Sequence, residues 1–287
     1  MKIQFSIRKS TLLYQAVRWS YHKVMSIVEL ILNYTIGFFR IIFDRLKSKA
    51  DVLYNSAQND RSGAQIMNNL MAYSYCFHNN LRYGGSIGKS FFKDRKGLEI
   101  LLGLPRSKKY GLSNLSRRTY RENEEDFSNT HAIWSAAFRN HLQKLTSVRP
   151  IERLSPKCVV HIRRGDINPI DWPERYVKNS EILQVITKIK NCSPDVQFEF
   201  HSEPESFESL EIFQTFGKLV LNAPLESVYT AFIQADILLI SKSAFSFVPG
   251  VFNPNTVLYF PFHHGACENW LDVTSESFES SLSNALR

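Results

Sequence analysis

Residues 157–166 read Lys-Cys-Val-Val-His-Ile-Arg-Arg-Gly-Asp: a short apolar run from Cys158 to Ile162 breaks into two arginines, a glycine and an aspartate. An uninterrupted apolar strand belongs in a parallel sheet, and the carboxyl end of such a strand is where α/β folds bind their ligands. Arg163 and Arg164 would then be fixed positive forks at the mouth of a crevice, charged at any working pH and shaped to take phosphate or carboxylate oxygens two at a time. Gly165 permits a sharp turn, and Asp166 can pin one guanidinium so that it points at a ligand. Alone, Arg-Arg-Gly-Asp is equally a strand running into solvent with an ordinary surface ion pair.

Two further strand ends favour the site. Val196 to His201 alternates as a strand and ends in Ser202-Glu-Pro-Glu-Ser206, while Asp236 to Ser241 runs into Lys242-Ser-Ala-Phe-Ser246. In a parallel sheet all three ends lie on one edge. Hydroxyls and turn N–H groups from Ser241, Ser243 and Ser246, with the arginines, would suit a diphosphate, and a carboxylate beside Ser202 and Glu203 could bind ribose or base hydroxyls. The proline-broken loop from Asn168 to Tyr176 brings two more carboxylates, Asp171 and Glu174, close to the arginines.

The elements that must position these groups alternate strand and helix. From Lys157 onward the strands are Cys158–Ile162, Val196–His201, Lys218–Asn222, Asp236–Ser241 and Thr256–Phe260. Helices are expected over Glu181–Lys190, with Ser180 as N-cap, and over Leu225–Gln234. This is the pattern of a doubly wound parallel sheet. Upstream, a strand over Asp51–Ala57, a polar turn over Gln58–Gly63, a helix over Ala64–Asn80 and a strand from Leu81 to Gly85 make a βαβ unit. The turn carries Asp60, Arg61 and Gly63 at a helix amino end, where N–H groups favour anions or sugar hydroxyls. It is a plain cap unless it faces the crevice. Helices are also expected over Gly97–Pro105 and Thr130–Leu145. The charged stretch 106–126 is a solvated or an acceptor-binding loop. Ser147–Pro156, with two prolines, divides an amino-terminal unit, 51–150, from a carboxy-terminal one, 151–287.

With 44% hydrophobic and 22% charged residues, the 287-residue chain has the composition of a folded protein. Cys76, Cys158, Cys192 and Cys267 form no CxxC or Cys/His cluster, which argues against structural zinc and a disulfide scaffold and makes buried free thiols the expectation. Of the net charge of +8, residues 1–50 supply nearly all: nine basic side chains against Glu29 and Asp44. A basic arm on a near-neutral body is not a nucleic-acid signature, and no motif supports one. Within the arm, Val24 to Phe43 is apolar but interrupted by Glu29, Asn33 and Arg40, short of the roughly 20 apolar residues a spanning helix needs. Its apolar positions keep to one helical stripe flanked by basic residues. The readings are a helix lying on an anionic membrane surface, a helix packed on the protein's own body, and a single-pass Golgi-type anchor through residues 24–43. No signal-peptide cleavage pattern is present, so a cytoplasmic or membrane-peripheral location is expected.

His161-Ile-Arg-Arg-Gly-Asp166 resembles the HxRRxD motif of the α1,2-, α1,6- and protein O-fucosyltransferase superfamily. Phe200-His-Ser-Glu203 is similar to that family's strand ending in Ser-Asp or Ser-Glu. Ala235-Asp236 through Ser241-Lys-Ser-Ala-Phe-Ser246 resembles its "AD-x-L-x-x-S-x-SSFS" segment, and Ser62-Gly-Ala-Gln-Ile-Met67 is similar to its amino-terminal Gly-Asn-Gln-Met turn. The resemblance implies a GT-B-like fold of two Rossmann-like domains, the amino-terminal one reduced, with a helical amino-terminal extension over residues 1–50. It further implies a metal-independent glycosyltransferase that moves a sugar, typically fucose from GDP-fucose, to a glycan acceptor hydroxyl, with no cofactor. By position, His161, Arg163, Arg164 and Asp166 would form the diphosphate site, with Arg164 neutralising the leaving group. Ser243, Phe245 and Ser246 would line the phosphate and nucleoside pocket, Asp236 would support or touch the nucleoside, and Asp171, or Glu174 in its stead, would be the base. Glu203-Pro-Glu205 has carboxylate spacing like a metal-binding DxD, but its proline favours a turn. The alternative is an idle relative that binds glycan or nucleotide, or acts as a membrane-associated scaffold; a donor other than GDP-fucose is a third reading.

Overall fold

A computed structural model describes residue 35 and residues 52–57, 61–88, 95–109, 111–116 and 133–286. Apart from Thr35, the basic extension and the candidate anchor over 24–43 lie outside the described residues, as do Asp60 and the acidic end of the charged stretch. Among the described residues no helix is long and apolar enough to cross a membrane.

The chain is α/β with parallel sheets. Its amino-terminal part is one βαβ unit: β1 (Val52–Ser56), α1 (Ser62–His78) and β2 (Arg82–Ile87), with β1 and β2 parallel. The helices α2 (Arg95–Leu101) and α3 (Ala136–Leu145) follow. The larger sheet is built from β3 (Lys157–His161), β4 (Gln197–Ser202), β5 (Gly217–Leu221), β6 (Ile237–Ile240), β7 (Thr256–Tyr259) and β8 (Leu271–Asp272). Between these strands run α4 (Asn179–Cys192), a 3-10 turn (Glu211–Thr215), α5 (Leu225–Ile233) and α6 (Ala244–Phe252), and α7 (Phe278–Ala285) closes the chain. The spatial order is β5-β4-β3-β6-β7-β8, and every neighbouring pair is parallel. Counted from β3, this is the Rossmann order 3-2-1-4-5-6, whose direction of winding reverses between β3 and β6.

Period-2 alternation explains why both faces are covered. Cys158, Val160, Ile237, Leu239 and Leu258 face one apolar layer, with Ile182, Val185, Ile186 and Ile189 of α4 and Phe278 and Leu282 of α7. Val159, Leu238 and Val257 face the other, with Val228 and Phe232 of α5 and Val248 and Val251 of α6. In α4 the apolar positions recur at i, i+3, i+4 and i+7, the spacing of a helix with one buried face. The helix starts at Asn179, one position before the expected cap at Ser180; Glu181 instead reaches back to accept the Lys178 N–H at 2.8 Å.

The second layer runs across residue 150 without a break: Ile66 and Leu70 of α1 and Phe138 and Leu142 of α3 join the same apolar cluster as α5 and α6. At the amino end of α1, Gly63 lies so close to α6 that a Cβ there would come within 2.5 Å of the Phe245 backbone. The sequence reading placed no helix over α6, because Pro249 and Gly250 sit inside it. The buried Phe247, Val248, Val251 and Phe252 hold it helical between the sheet and α1, and packing overrides the missing N–H of Pro249. The four cysteines are free thiols, three of them buried.

One charged stripe crosses the sheet. Glu199 of β4 takes the His201 ring at 2.8 Å, the Lys157 ammonium at 3.0 Å and the Lys218 ammonium at 3.6 Å. The His201 hydrogen bond, then Lys157, hold its carboxyl down to about 2 against the burial that opposes them. A carboxylate depressed in the folded state stabilises above its unfolded pKa and loses that contribution as the pH falls through the folded one. The stripe should therefore contribute on the order of 3 kcal/mol at neutral pH, lost between about pH 4.5 and pH 2. Melting curves taken from pH 6 to pH 2 should fall more steeply for the native protein than for Glu199→Gln. Parallel curves would show that the stripe carries no such linkage.

Candidate functional site

The carboxyl ends of β3 and β6 flank the reversal point, and the chain places its most polar loops there. Arg163 leaves β3 and donates to Ser243 Oγ at 2.7 Å, and its other guanidinium arm meets Asp166 at 3.1 Å. Ser243 is the N-cap of α6 and accepts the Phe245 N–H at 3.2 Å. The guanidinium is thus tied to the first turn of a helix whose amino end already favours anions. Gly165 takes φ +73, the left-handed region that only glycine enters at no cost, and the Glu203 carboxylate lies directly over it. Arg61 at the start of α1 forms a 3.0 Å ion pair with the other oxygen of Asp166. Asp166 therefore sits between two guanidinium groups contributed by chain segments a hundred residues apart.

The floor is hydroxyl and imidazole. His161 Nδ1 lies 2.7 Å from Ser241 Oγ, and the His161 ring packs against Phe232 and Phe245. Burial first, then Arg163, His201 and Arg164, push His161 down to about 3, so it is a neutral ring at neutral pH. Ser246 is fully buried and reaches the carbonyls of Ser241 and Ser243 at 3.5 and 3.4 Å. Ser202 donates to the Ile162 carbonyl at 2.8 Å, locking the ends of β3 and β4 together. Burial raises the Glu203 carboxyl above its usual range, with Asp166 acting the same way and Arg61 and Arg163 opposing it. Arg61, Gly63, His161, Arg163, Asp166, Ser202, Glu203, Ser241, Ser243, Phe245 and Ser246 are thus gathered at one edge.

Two expected residues, Arg164 and Asp236, sit differently. Arg164 does not reach the mouth: it is 1% exposed and turned into the protein. Its guanidinium donates to the Arg163 carbonyl at 2.8 Å and to Asn179 Oδ1 at 2.5 Å, pairs with Glu208 at 3.6 Å and stacks 4.3 Å from the Tyr176 ring centre. A residue so enclosed braces the loop that carries Arg163. Asp236 is at the wrong end of β6. Its carboxylate accepts the Lys157 N–H at 2.8 Å and Arg153 at 3.2 Å, below the amino ends of the strands and roughly 15 Å from the serine loop at strand rise. Asp171 and Glu174 are exposed on the rim, Asp171 held by Asn168 at 2.7 Å and Glu174 3.8 Å from Arg175. The partners of Arg164 (Tyr176, Asn179 and Glu208) went unseen in the sequence, since nothing in their spacing marks them.

Among the described residues no group of three or more His, Cys, Asp or Glu side chains could hold a metal ion. A hollow of about 320 Å³ opens on the opposite edge of the sheet, lined in part by Gln143, Lys144, Arg149, Ile233 and Phe252. Its lining carries no carboxylate, imidazole or thiol.

No protein-family model and no curated protein matches the chain. Among solved structures it is similar to KpsC of Thermosulfurimonas dismutans, a beta Kdo 2,7 transferase, at 12% identity and a TM-score of 0.30 over 61% of this chain. The chain spans 57% of the length of that structure.

Proposed function

We propose that the protein is a nucleotide-sugar-dependent glycosyltransferase whose donor diphosphate binds at the carboxyl ends of β3 and β6, beside Arg163 and the first turn of α6. The observation that carries the reading is Arg163: a guanidinium held on both arms at the reversal point of a Rossmann-ordered sheet, sharing Asp166 with a second arginine, Arg61. The resemblance of residues 161–166 and 235–246 to the fucosyltransferases supports GDP-fucose as the donor and a glycan hydroxyl as the acceptor. In this reading Asp166 presents Arg163, and the serine loop and the first turn of α6 bind phosphate oxygens. The acceptor oxygen bonds to the anomeric carbon as the bond from that carbon to the diphosphate oxygen breaks, and the electron pair leaves with the diphosphate. The acceptor proton passes to Asp171 or Glu174. Arg163 stabilises the departing charge, the part a divalent ion plays in other transferases.

The burial of Arg164 favours a second reading, binding without turnover, since one of the two expected leaving-group cations is absent from the mouth. Thermal-shift measurements with GDP, UDP and their sugars separate the cases. A clear rise in Tm with GDP and not UDP is expected, about 2.7 kcal/mol of stabilisation at a hundredfold excess over Kd. Release of GDP from GDP-fucose in the presence of chelator is expected of the enzyme, and GDP binding without any release is expected of the idle relative. Stabilisation by neither nucleotide would sink the transferase reading and the nucleotide-binding form of the idle relative.

A further inference from the structure

The loops that leave β3 and β7 meet above α6. Arg175 lies 5.0 Å from the Trp172 ring centre and 5.9 Å from that of Phe262. Phe262 is followed directly by His263 at 3.7 Å and His264 at 5.6 Å, and the two imidazoles are 4.1 Å apart. His264 rests on Phe247 of α6 at 5.4 Å. Phe247 is four residues from Ser243, one helical turn or about 6 Å along α6. Burial and Arg175 lower both imidazoles, with His264 at about 3 under the added influence of His263, so the rings are neutral and join the aromatic surface. At the outer margin Trp172 is 43% exposed and Ile170 76% exposed, and the carboxylates of Asp171 and Glu174 stand in the same solvent-facing loop.

We propose that Trp172 and Arg175, backed by Phe262 and the paired imidazoles, form a saccharide platform that seats the acceptor beside the donor site. The substrate class follows from the surface chemistry. A pyranose ring has an apolar C–H face edged by hydroxyls. An indole offers the matching face, and a guanidinium and two carboxylates beside it offer a donor and two acceptors for the edge. A nucleoside would call for an enclosed slot, whereas this surface is open at the rim, where an acceptor arrives. Asp171 and Glu174, in the same loop as the indole, are then available to the acceptor hydroxyls. The assignment of the bound sugar as an acceptor rests on the transferase reading; the platform itself does not.

The probe is a broad array of immobilised oligosaccharides, followed by saturation-transfer NMR with the best soluble hit and calorimetry with GDP on the same full-length samples. At least one oligosaccharide should bind, with transfer strongest to protons on one face of a single ring. Trp172→Ala should weaken that binding about tenfold and Trp172→Phe should keep most of it, while the affinity for GDP is unchanged in both. Saccharide binding equal in Trp172→Ala, or no binding to any oligosaccharide, overturns the platform. Loss of GDP affinity in Trp172→Ala also overturns it, because the ring would then seat the nucleobase. Saccharide binding that depends on Trp172 in a protein with no affinity for GDP leaves the platform standing and removes the transferase reading.

Discussion

Arg164→Ala should destabilise the fold by about 3 kcal/mol, seen as a fall of roughly 5–10 °C in Tm. The physical ground is the enclosure of its guanidinium. The side chain is 1% exposed, and four groups use it at once: the Arg163 carbonyl, Asn179 Oδ1, the Glu208 carboxylate and the face of Tyr176. Truncation leaves the Asn179 oxygen without its donor and a cavity under the loop, and it leaves Glu208 with only the Tyr176 hydroxyl and the Asn179 N–H, at 2.8 and 2.9 Å. Burial acts against the charge of Arg164, with Tyr176 and Glu208 acting for it. A protein can hold a buried cation in this way only when partners meet it on several sides. Arg164→Lys should recover little, because an ammonium cannot span the Asn179 and Arg163 oxygens with a planar fork. An unchanged Tm in Arg164→Ala, with nucleotide affinity lost, would return this residue to the mouth and undo its assignment as a brace.

The exchange of roles between the two arginines shows where sequence reading stops. The strand, its parallel setting and its polar carboxyl end followed from Cys158-Val-Val-His-Ile running into charge, because burial on both faces requires such a run. The convergence of the loops followed in turn, since parallel strands put like ends on one edge. Which arginine points outward is set by Tyr176, Asn179 and Glu208, up to 44 residues away along the chain, and no local pattern encodes that contact. Asp236 illustrates the same limit: the resemblance of its segment implies a nucleoside contact, but its place at the amino end of the strand gives it to the Lys157 N–H. The helix over Ala244–Phe252 was hidden by Pro249 and Gly250, whose local preferences lose to the burial of four large side chains. Arg61 was visible only as a turn residue; that it meets Asp166 depends on α1 packing on α6 through Gly63, a tertiary contact. The aromatic loop after β7 could have been found by the rule already applied to β3, β4 and β6, because its carboxyl end lies on the same edge.

Arg163→Ala should do the opposite of Arg164→Ala: leave Tm nearly unchanged and lower the affinity for GDP by about 100-fold. Less stability is at stake than at Arg164, since Ser243 keeps its bond from the Phe245 N–H and Asp166 keeps Arg61. The binding loss is large because three effects add. The fork that matches two phosphate oxygens is gone. Asp166, until then shared between two guanidinium groups, turns more of its negative charge on the crevice. Ser243, relieved of the arginine, no longer holds a positive group at the start of α6. Arg163→Lys restores the charge without the fork and should recover part of the affinity. If the protein turns over a nucleotide sugar, the same truncation should lower the rate by a further factor of about 100, because the charge on the diphosphate is greatest as it departs. Calorimetry with GDP on both alanine variants, beside their melting curves, gives a crossed result: one variant that folds and does not bind, another whose loss is stability. A variant lacking Arg163 that binds GDP as the native protein does would remove the diphosphate from this edge of the sheet, and with it the proposed reaction.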